Sequence, residues 1–540
     1  MTGEETVTAR DSERTDGRST KAIDVAGLDG GFVSLTAERL DALDSRVERP
    51  LLRPGDAGWD DAVLIWNGMV AKAPALVLQP TSAAHVAAAV GSARDHGLLL
   101  SIKGGGHNMA GTSIAERGLT LDMSRMRDVI VDPEARLAHV GSGCRLRDVD
   151  RATQAHGLAT PLGSFDSGVG VAGLTLGGGL GYLTRRFGWT VDNLEEVEIV
   201  TADGQIRTAS RDENADLLWA LRGGGGNFGV VTRFTYRLHD VGPTITAASS
   251  SGAPTGSTTC SQPRCHSGAD AKGDLAPVRA LGDPIADLVT EKPYTDQQSM
   301  MDGMEPKGHH HYWKTEYLAG LTNEFLDTFR DSALRVTCPL SDSIVIHLAG
   351  ALNERADDDG AVGNRDARYM TAFAGQWPPG APADEHVAWV REAWKSVQPH
   401  STGGNYLNFQ TADEDEQRVR ATYGPTSTAS SKPNRPTTLG TCFAATATSG
   451  PEPEPGPQGR GSRCAIVVAS SSHRLRSCSR TKQRWIGAGR VQGLSLGALP
   501  GSGRLRWTSF DTGRAPGRRA HPPRTRRLVR CARATSSGTR

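Results

Sequence analysis

The sequence predicts an α+β protein with two folded domains, on three observations. Residues 36–243, with a core at about 70–240, alternate short apolar strands with short helices. Residues 265–425 again hold segments with strand and helix periodicity. The remaining stretches keep no period, which predicts a disordered leader at 1–35, a low-complexity bridge at 244–264 and a basic disordered tail at 426–540.

The charge of the 540 residues is balanced at +1 but unevenly divided. Residues 426–540 carry 21 Lys and Arg against 3 Asp and Glu, so the preceding 425 residues carry 40 against 57. The eight Cys form no CxxC pair, which indicates neither a zinc site nor a disulfide framework. No signal-peptide core is present, and no apolar run approaches the ~18 residues of a membrane span. We therefore expect a cytoplasmic protein without a membrane partner.

The first domain opens with a β-α-β pattern. Ala75–Gln79 predicts a strand, Thr81 or Ser82 can cap a following helix, and Leu98–Ile102 predicts the next strand. One face of that helix is apolar, with Val86, Ala89, Val90 and Ala93. Further along, the pattern predicts a hairpin at 129–140, helices from 146 and at 214–221, and strands at 194–201 and 230–236.

The second region holds both helix-like and strand-like segments. Helices are predicted at Leu275–Leu281, Asn323–Ala333 and Asp384–Val397, and strands at Ser343–Leu348 and Tyr406–Gln410.

Three glycine-dense stretches lie within the first domain, at 104–106, 173–181 and 222–229. Glycine lets the backbone approach a ligand closely and turn its N–H groups toward an anion. Tight turns are the alternative explanation for any one stretch, but three together favour a diphosphate cofactor held mainly by backbone. No G-x-G-x-x-G with an acid about 20 residues further on supports a nicotinamide cofactor.

The motifs between these stretches resemble one family in order and spacing. They are Ser101-Ile-Lys-Gly-Gly-Gly-His-Asn-Met-Ala-Gly111, Pro161-Leu-Gly163, Gly170-Val-Ala-Gly-Leu-Thr-Leu-Gly-Gly-Gly179, Asp192-Asn193 and Gly226-Asn-Phe-Gly229. The chain resembles the berberine-bridge-like FAD-linked oxidases, which have a vanillyl-alcohol-oxidase (PCMH) type FAD domain. The resemblance implies a two-subdomain FAD-binding domain and a substrate domain with an antiparallel sheet covered by helices.

The resemblance also implies the site residues. The family joins the histidine that matches His107 to the flavin 8α-methyl; some members add a bond from a Cys, but 165–168 contain none, so we expect a single link. Asn405-Tyr-Leu-Asn-Phe409 matches the family's Tyr-x-Asn, which makes Tyr406 the candidate for proton removal. The predicted cofactor-binding residues are His107, Gly104, Gly105, Gly106, Asn108, Gly163, Ser167, Gly170, Gly173, Gly177, Gly178, Gly181, Asn227, Gly229, Val231 and Asn408.

Each of these residue types has a simpler explanation. A lone His such as His107 is more often a structural hydrogen-bonder, and Tyr406 could be a buried strand aromatic with an ordinary pKa near 10, which makes a poor base. His309-His-His311 invites a metal site, but adjacent strand residues point to opposite faces, so three in a row rarely converge on one ion. We expect no metal.

The chain departs from the family pattern after Tyr423-Gly-Pro425. The family continues there with an Asp-Pro-x-Asn-Leu-Phe-Arg-x-Asn-x-Asn-Ile type ending. The codons of Pro436 to Ser449, taken one base out of frame, permit Asp-Asp-Pro-Gly-Asn-Leu-Phe-Arg-Arg-Asn-Arg-Asn-Ile. Our hypothesis is a one-base shift near codon 425, which would make the tail an out-of-frame product, with 244–264 as a second indel scar. Sequencing the gene across codon 425 decides it.

The rival explanation of the tail is a nucleic-acid-binding arm. Arg518-Arg519 and 524–530 are basic enough to contact phosphates. That explanation leaves the hidden family ending unaccounted for, so we do not expect a nucleic-acid partner.

Three functions follow from the sequence. The first is an FAD-dependent oxidase that takes a hydride from an alcohol, a sugar or a secondary metabolite, with molecular oxygen as acceptor. The second is an inactive frameshifted remnant that keeps the FAD domain. The third is a flavin- or drug-binding protein without turnover.

Overall fold

The computed structural model describes residues 22–47, 51–164, 168–252, 260–266, 273, 284–287, 290–356 and 359–424. The strands are β1 Ile23–Ala26, β2 Phe32–Leu35, β3 Leu76–Leu78, β4 Leu100–Lys103, β5 Leu119–Asp122, β6 Val129–Asp132, β7 Leu137–Gly141, β8 Leu158–Ala159, β9 Leu194–Val200, β10 Ile206–Ala209, β11 Val230–Arg237, β12 His239–Asp240, β13 Thr244–Gly252, β14 Cys260–His266, β15 Pro284–Asp287, β16 Thr290–Pro293, β17 His310–Leu318, β18 Asp342–His347 and β19 Tyr369–Trp377. The helices are α1 Ala37–Asp44, α2 Trp59–Val63, α3 Ala83–His96, α4 Leu146–Gln154, α5 Val171–Leu176, α6 Thr184–Phe187, α7 Ala215–Leu221, α8 Tyr294–Gln298, α9 Asn323–Ala333, α10 Asp384–Val397 and α11 Glu416–Thr422.

The first subdomain is a parallel sheet in the order β3-β5-β4 with α3 packed on it. Helix α3 begins where the Ser82 hydroxyl accepts a hydrogen bond from the His85 N–H, and it ends at Gly97, whose φ is +64°. Its apolar face is fully buried, as the spacing predicts. The predicted β-α-β unit is therefore confirmed, and β4 leads directly into the loop that carries His107.

The second subdomain is an antiparallel sheet in the order β10-β9-β11-β7-β6. The predicted hairpin is β6–β7, with Val129 opposite Val140. Helices α4, α5 and α7 contribute Leu146, Val171 and Leu218 to its buried core. The glycine-dense stretches 173–181 and 222–229 lie at the ends of α5 and α7.

A third sheet, antiparallel in the order β17-β19-β18, forms the core of the second region. Helices α9 and α10 cover one face of it, where Phe325, Phe373 and Val390 are fully buried. This confirms the predicted antiparallel sheet with helices over it. The opposite face, which includes Trp313 and Tyr317, meets residues of the first domain. No helix in the described ranges has the length and apolar character to cross a bilayer.

Three sequence predictions need correction. Residues 23–35 are not a disordered leader, because β1 and β2 pair as a hairpin. The bridge is ordered in part, since 244–252 and 260–266 are the paired strands β13 and β14. Residues 406–410 are not a strand. They form a 3-10 turn at Leu407–Phe409, closed by the Phe409 N–H on the Tyr406 carbonyl. The predicted helix 275–281, together with the leader before residue 22 and the tail 426–540, lies outside the described residues.

A buried ion pair joins the first domain to the second region. The Arg365 guanidinium donates to both carboxylate oxygens of Asp192, at 2.7 and 3.2 Å, and the two side chains are 2% and 1% exposed. The backbone N–H of Trp189 also donates to this carboxylate. Asp192, one of the family-motif residues, is therefore a structural anchor in this fold.

Removing one charge of this pair should be costly, because the other remains buried and uncompensated. We expect Arg365→Met to lower the free energy of unfolding by about 3–5 kcal/mol, measured by denaturant titration. Asp327→Ala, which breaks the exposed Arg330–Asp327 pair, is the control and should cost about 0.2–1 kcal/mol. Equal losses in the two variants would show that the buried pair does not hold the regions together.

Candidate flavin site

The loop after β4 approaches a second glycine-bearing loop at backbone contact. An added Cβ on Gly105 would lie 2.2 Å from the backbone nitrogen of Gly170, and Gly168 lies against the His107 ring. Arg145 holds the two loops together, since one of its Nη atoms donates to the carbonyls of Gly105 and Gly168. Side chains on these glycines would separate the loops, so the local sequence is dictated by close packing.

His107 is neutral in this environment. Burial lowers its pKa to about 3, and the charges of Arg145 and Lys307 act in the same direction. Burial likewise lowers the pKa of Lys307 to about 8, and the neighbouring charges of Lys103 and Arg145 lower it too. Lys103 is paired with the buried Asp122 at 3.4 Å. The loop therefore lies among positive charges, while its histidine is uncharged.

Trp66 connects this loop to the second region. Its indole stacks on His107 with ring centroids 4.2 Å apart and on His311 at 3.6 Å, with interplanar angles of 16° and 20°. Trp313 meets the same indole edge-on at 6.2 Å. His107 and His311 therefore lie on either side of one aromatic ring.

The segment Trp66–Gly68 is tied by hydrogen bonds on both sides. The backbone N–H of Trp66 donates to the Gly106 carbonyl, and the backbone N–H of Gly68 donates to the His309 carbonyl. The Asn67 amide bridges the two sides, because its Nδ2 donates to the carbonyls of Met109 and His311, at 2.9 Å each. Sequence reasoning missed this segment, since nothing local to it signals partners more than 200 residues away.

Tyr406 and Asn408 lie against the glycine stretch 173–181. The Asn408 amide donates to the Leu174 carbonyl and to the Tyr406 hydroxyl, both at 3.0 Å, and the backbone N–H groups of Gly179 and Leu180 act to lower the pKa of this hydroxyl. Burial raises the pKa of Tyr406 to about 12, although these donors lower it. The Tyr406 ring stacks parallel to Trp189 at 5.6 Å. The turn thus brings the predicted tyrosine to the predicted glycine stretch.

The third glycine stretch meets the second through the Gly225 N–H, which donates to the Leu176 carbonyl at 2.9 Å. Asn227 closes this stretch by donating to the Gly224 carbonyl. Gly229 and Val231 face the sheet instead: an added Cβ on Gly229 would lie 2.4 Å from the Val200 carbonyl, and Val231 is buried in the core. Their role in lining the cofactor stays a prediction.

The remaining predicted residues are spread around these loops. Asn108 accepts two hydrogen bonds from Thr112 within the His107 loop. Gly163 lies beside Gly181, whose added Cβ would fall 3.2 Å from the Gly163 Cα. Gly177 is in contact with the Asn408 side chain, and Gly178 with the Tyr406 ring. Ser167 lies outside the described residues.

The residues present suit a cofactor that carries phosphates. Gly173 and Gly226, on two different stretches, face open space, because a Cβ on either would meet no described atom within 4 Å. Backbone N–H groups in such stretches bind anions, and the cations around His107 add a positive potential. The fold and site define a flavoprotein of the type in which two small subdomains hold the FAD.

Comparisons with known proteins agree with this class. A family model described as "FAD binding domain" matches residues 74–210. An FAD-linked oxidoreductase of Dictyostelium discoideum is 27% identical over 391 residues, which are 66% of this chain and 85% of that protein. The (R)-6-hydroxynicotine oxidase of Paenarthrobacter nicotinovorans is 36% identical over 195 residues, 36% of this chain and 42% of that enzyme.

Among solved structures, a variant of BBE-like 1 from Physcomitrella patens is 25% identical with a TM-score of 0.64, covering 72% of this chain and 94% of that one. The chain spans about two fifths of the length of several curated relatives that it matches. The chain is therefore similar to the berberine-bridge-like FAD-linked oxidoreductases, and its residues 74–210 match their FAD-binding domain. Its cofactor is FAD.

Proposed function

We propose that this chain is an FAD-dependent oxidase that acts on a hydroxyl- or amine-bearing carbon of an alcohol, a sugar or a secondary metabolite, with molecular oxygen as acceptor. The convergence of the His107 loop, the glycine stretch 173–181 and the Tyr406-x-Asn408 turn carries the proposal. When bound, the FAD supplies hydride acceptance and reoxidation by oxygen. Residues 36–243 would form the FAD domain and 265–425 the substrate domain.

His107 is proposed as the single covalent tether of the FAD. Bond formation needs an unprotonated ring nitrogen, and burial together with the nearby cations holds the pKa of His107 at about 3. Gly168 keeps side-chain bulk away from one edge of the ring, since an added Cβ there would lie 3.3 Å from the His107 Cδ2. No Cys stands at 165–168 to form a second bond. At pH 5–9 the ring is therefore ready to react without first losing a proton.

Tyr406 is proposed to hold and move the proton of the substrate hydroxyl at its phenolic oxygen. Its pKa of about 12 means that it is protonated at rest, so only the small phenolate fraction, formed when the phenolic proton leaves to solvent, can take the substrate proton. The N–H groups of Asn408, Gly179 and Leu180 on the same oxygen would stabilise the phenolate, since hydrogen bonds to a charged form favour it. Burial keeps water from competing for this proton.

His107→Ala should convert tightly held flavin into extractable flavin. Acid precipitation of the wild-type chain should leave the yellow colour in the pellet, whereas the variant should release it into the supernatant. The exposed His156 provides the control, and His156→Ala should behave as the wild type. Colour released from the wild-type pellet would show that the tether does not form.

Tyr406→Phe should leave the flavin content unchanged and slow flavin reduction by substrate about 10²–10⁴-fold, the usual contribution of a positioned proton-transfer group. The measurement is anaerobic flavin bleaching with the alcohol or sugar that gives peroxide in a panel. Tyr369→Phe, on β19 and stacked on His347, is the control. A variant as fast as the wild type would assign the proton transfer elsewhere.

A further inference from the structure

Three polar side chains meet at the base of the turn that carries Tyr406 and Asn408. The Gln410 amide donates to the Asn405 side-chain oxygen at 2.7 Å and to the Thr422 hydroxyl at 2.8 Å. That hydroxyl in turn donates to the same Asn405 oxygen. Asn405 is 2% exposed and Thr422 7%, so water has little access to either side chain. These three residues, Asn405, Gln410 and Thr422, form the turn clamp.

The turn clamp joins both ends of the turn to α11. Asn405 and Gln410 lie just before and just after the turn, whereas Thr422 is the last residue of α11. Within the turn, the backbone N–H of Phe409 donates to the Tyr406 carbonyl at 2.9 Å, and the next backbone bond is longer, at 3.3 Å. A short turn with so few backbone bonds depends on neighbouring segments for its shape. The clamp therefore fixes where the two ends of the turn lie.

Helix α11 is itself fixed to β17 through Arg418. The Arg418 guanidinium donates to the Glu316 carboxylate at 2.6 Å and to the Thr315 carbonyl at 3.0 Å. Glu316 is fully buried and also accepts the indole N–H of Trp394 at 2.6 Å. Hydrogen bonds between charged groups are stronger than those between neutral ones, so α11 cannot slide along β17 without losing strong contacts.

Asn364 holds the other end of α11. Its side-chain amide donates to the carbonyls of Thr422 at 2.9 Å and Ala421 at 3.2 Å. These are among the last carbonyls of the helix, which have no partner inside it. Thr422 is therefore bonded to Asn364 through its backbone and to the turn clamp through its side chain, so that its hydroxyl is directed at the base of the turn.

The position of the turn sets the contact between Asn408 and the Tyr406 hydroxyl. The Asn408 amide reaches both this hydroxyl and the Leu174 carbonyl, each at 3.0 Å. A shift of the turn by about 0.5 Å would stretch both contacts to the limit of a hydrogen bond, which is lost at about 3.6 Å. The same amide stabilises the tyrosine when it is ionised, because hydrogen bonds to a charged form favour that form.

We propose that Asn405, Gln410 and Thr422 are positioning residues that hold the turn in the geometry needed for proton transfer at the Tyr406 oxygen. They act through the backbone of the turn, since the side chain that bonds the hydroxyl itself is Asn408. The inference rests on the proposed function, because the proton concerned is that of the substrate hydroxyl. A purely structural clamp would contribute to stability and leave the rate of flavin reduction per bound flavin unchanged.

The test compares Thr422→Val, which removes the hydroxyl and keeps the side-chain shape, with Thr422→Ser, which keeps the hydroxyl. Mass spectrometry of the full chain with its FAD measures hydrogen exchange of the amides of residues 406–410 without substrate. Stopped-flow absorbance without oxygen measures flavin reduction by D-glucose, lactose and benzyl alcohol. Both measurements are made on the same preparations, and the reduction rates are expressed per bound flavin.

We expect Thr422→Val to exchange these amides about tenfold faster and to reduce its flavin about tenfold more slowly at saturating probe, the effect of losing about one hydrogen bond. The concentration of probe at half-saturation should not change. Loss of the Asn408 bond raises the pKa of Tyr406 and so lowers its phenolate fraction by the same factor throughout pH 7–9, because this range lies below the pKa of about 12. Thr422→Ser should restore both measurements.

Thr337→Val is the matched control, because it removes a threonine hydroxyl that bonds His386 at 2.7 Å, outside the turn clamp. It should behave as the wild type in both measurements. Gln410→Met removes the donor of the clamp while keeping its length, and it serves if Thr422→Val does not fold.

The outcomes distinguish the turn clamp from the proposed function. Exchange that is unchanged in Thr422→Val overturns the clamp, whatever the flavin does. Faster exchange with an unchanged rate of reduction per flavin also overturns it, because the clamp would then be structural alone. If no probe reduces the flavin of the wild type, the oxidase function fails for these probe classes, while faster exchange in Thr422→Val that Thr422→Ser restores still supports the clamp.

Discussion

Stacking of the Trp66 indole between His107 and His311 is the contact on which the site depends. Each stacked aromatic pair contributes about 0.5–1.5 kcal/mol beyond the area that it buries. The hydrogen bonds of Trp66, Asn67 and Gly68 to both neighbours add directional restraint. The loop that carries His107 and the inner face of β17 are therefore held in one fixed relative position.

Glycine makes the rest of the site possible by bringing backbones to distances that side chains forbid. Gly105 faces Gly170 so closely that a Cβ on either would collide with the other chain segment. Gly177, which has no Cβ, likewise leaves room for the Asn408 side chain, which can then reach the Tyr406 hydroxyl. The glycines thus have two roles. Some close the loops on one another, while Gly173 and Gly226 keep space beside the backbone open.

The sequence correctly predicted the features that depend on neighbouring residues, namely helix limits and caps. Helices α9 and α10 begin and end as predicted, and α3 is capped by Ser82, one of its two predicted cap residues, because periodicity and caps are properties of neighbouring residues. The loop around His107 was found through a family motif. The contact between Trp66 and His311 was not predicted, since it joins segments about 240 residues apart and produces no periodic pattern in the sequence. Residues 406–410 looked like a strand, but the Asn408 side chain bonds the Leu174 carbonyl and bends them into a turn.

The distribution of charge divides the site into two chemically different ends. Around His107, Lys103, Arg145 and Lys307 create a positive potential that opposes protonation of the histidine and attracts phosphate. Here the histidine is kept neutral by burial and the positive charge lies on its neighbours. On the other side of Trp66, His311 and Glu305 are both uncharged at neutral pH. One aromatic ring therefore separates a charged side around His107 from an uncharged side around His311.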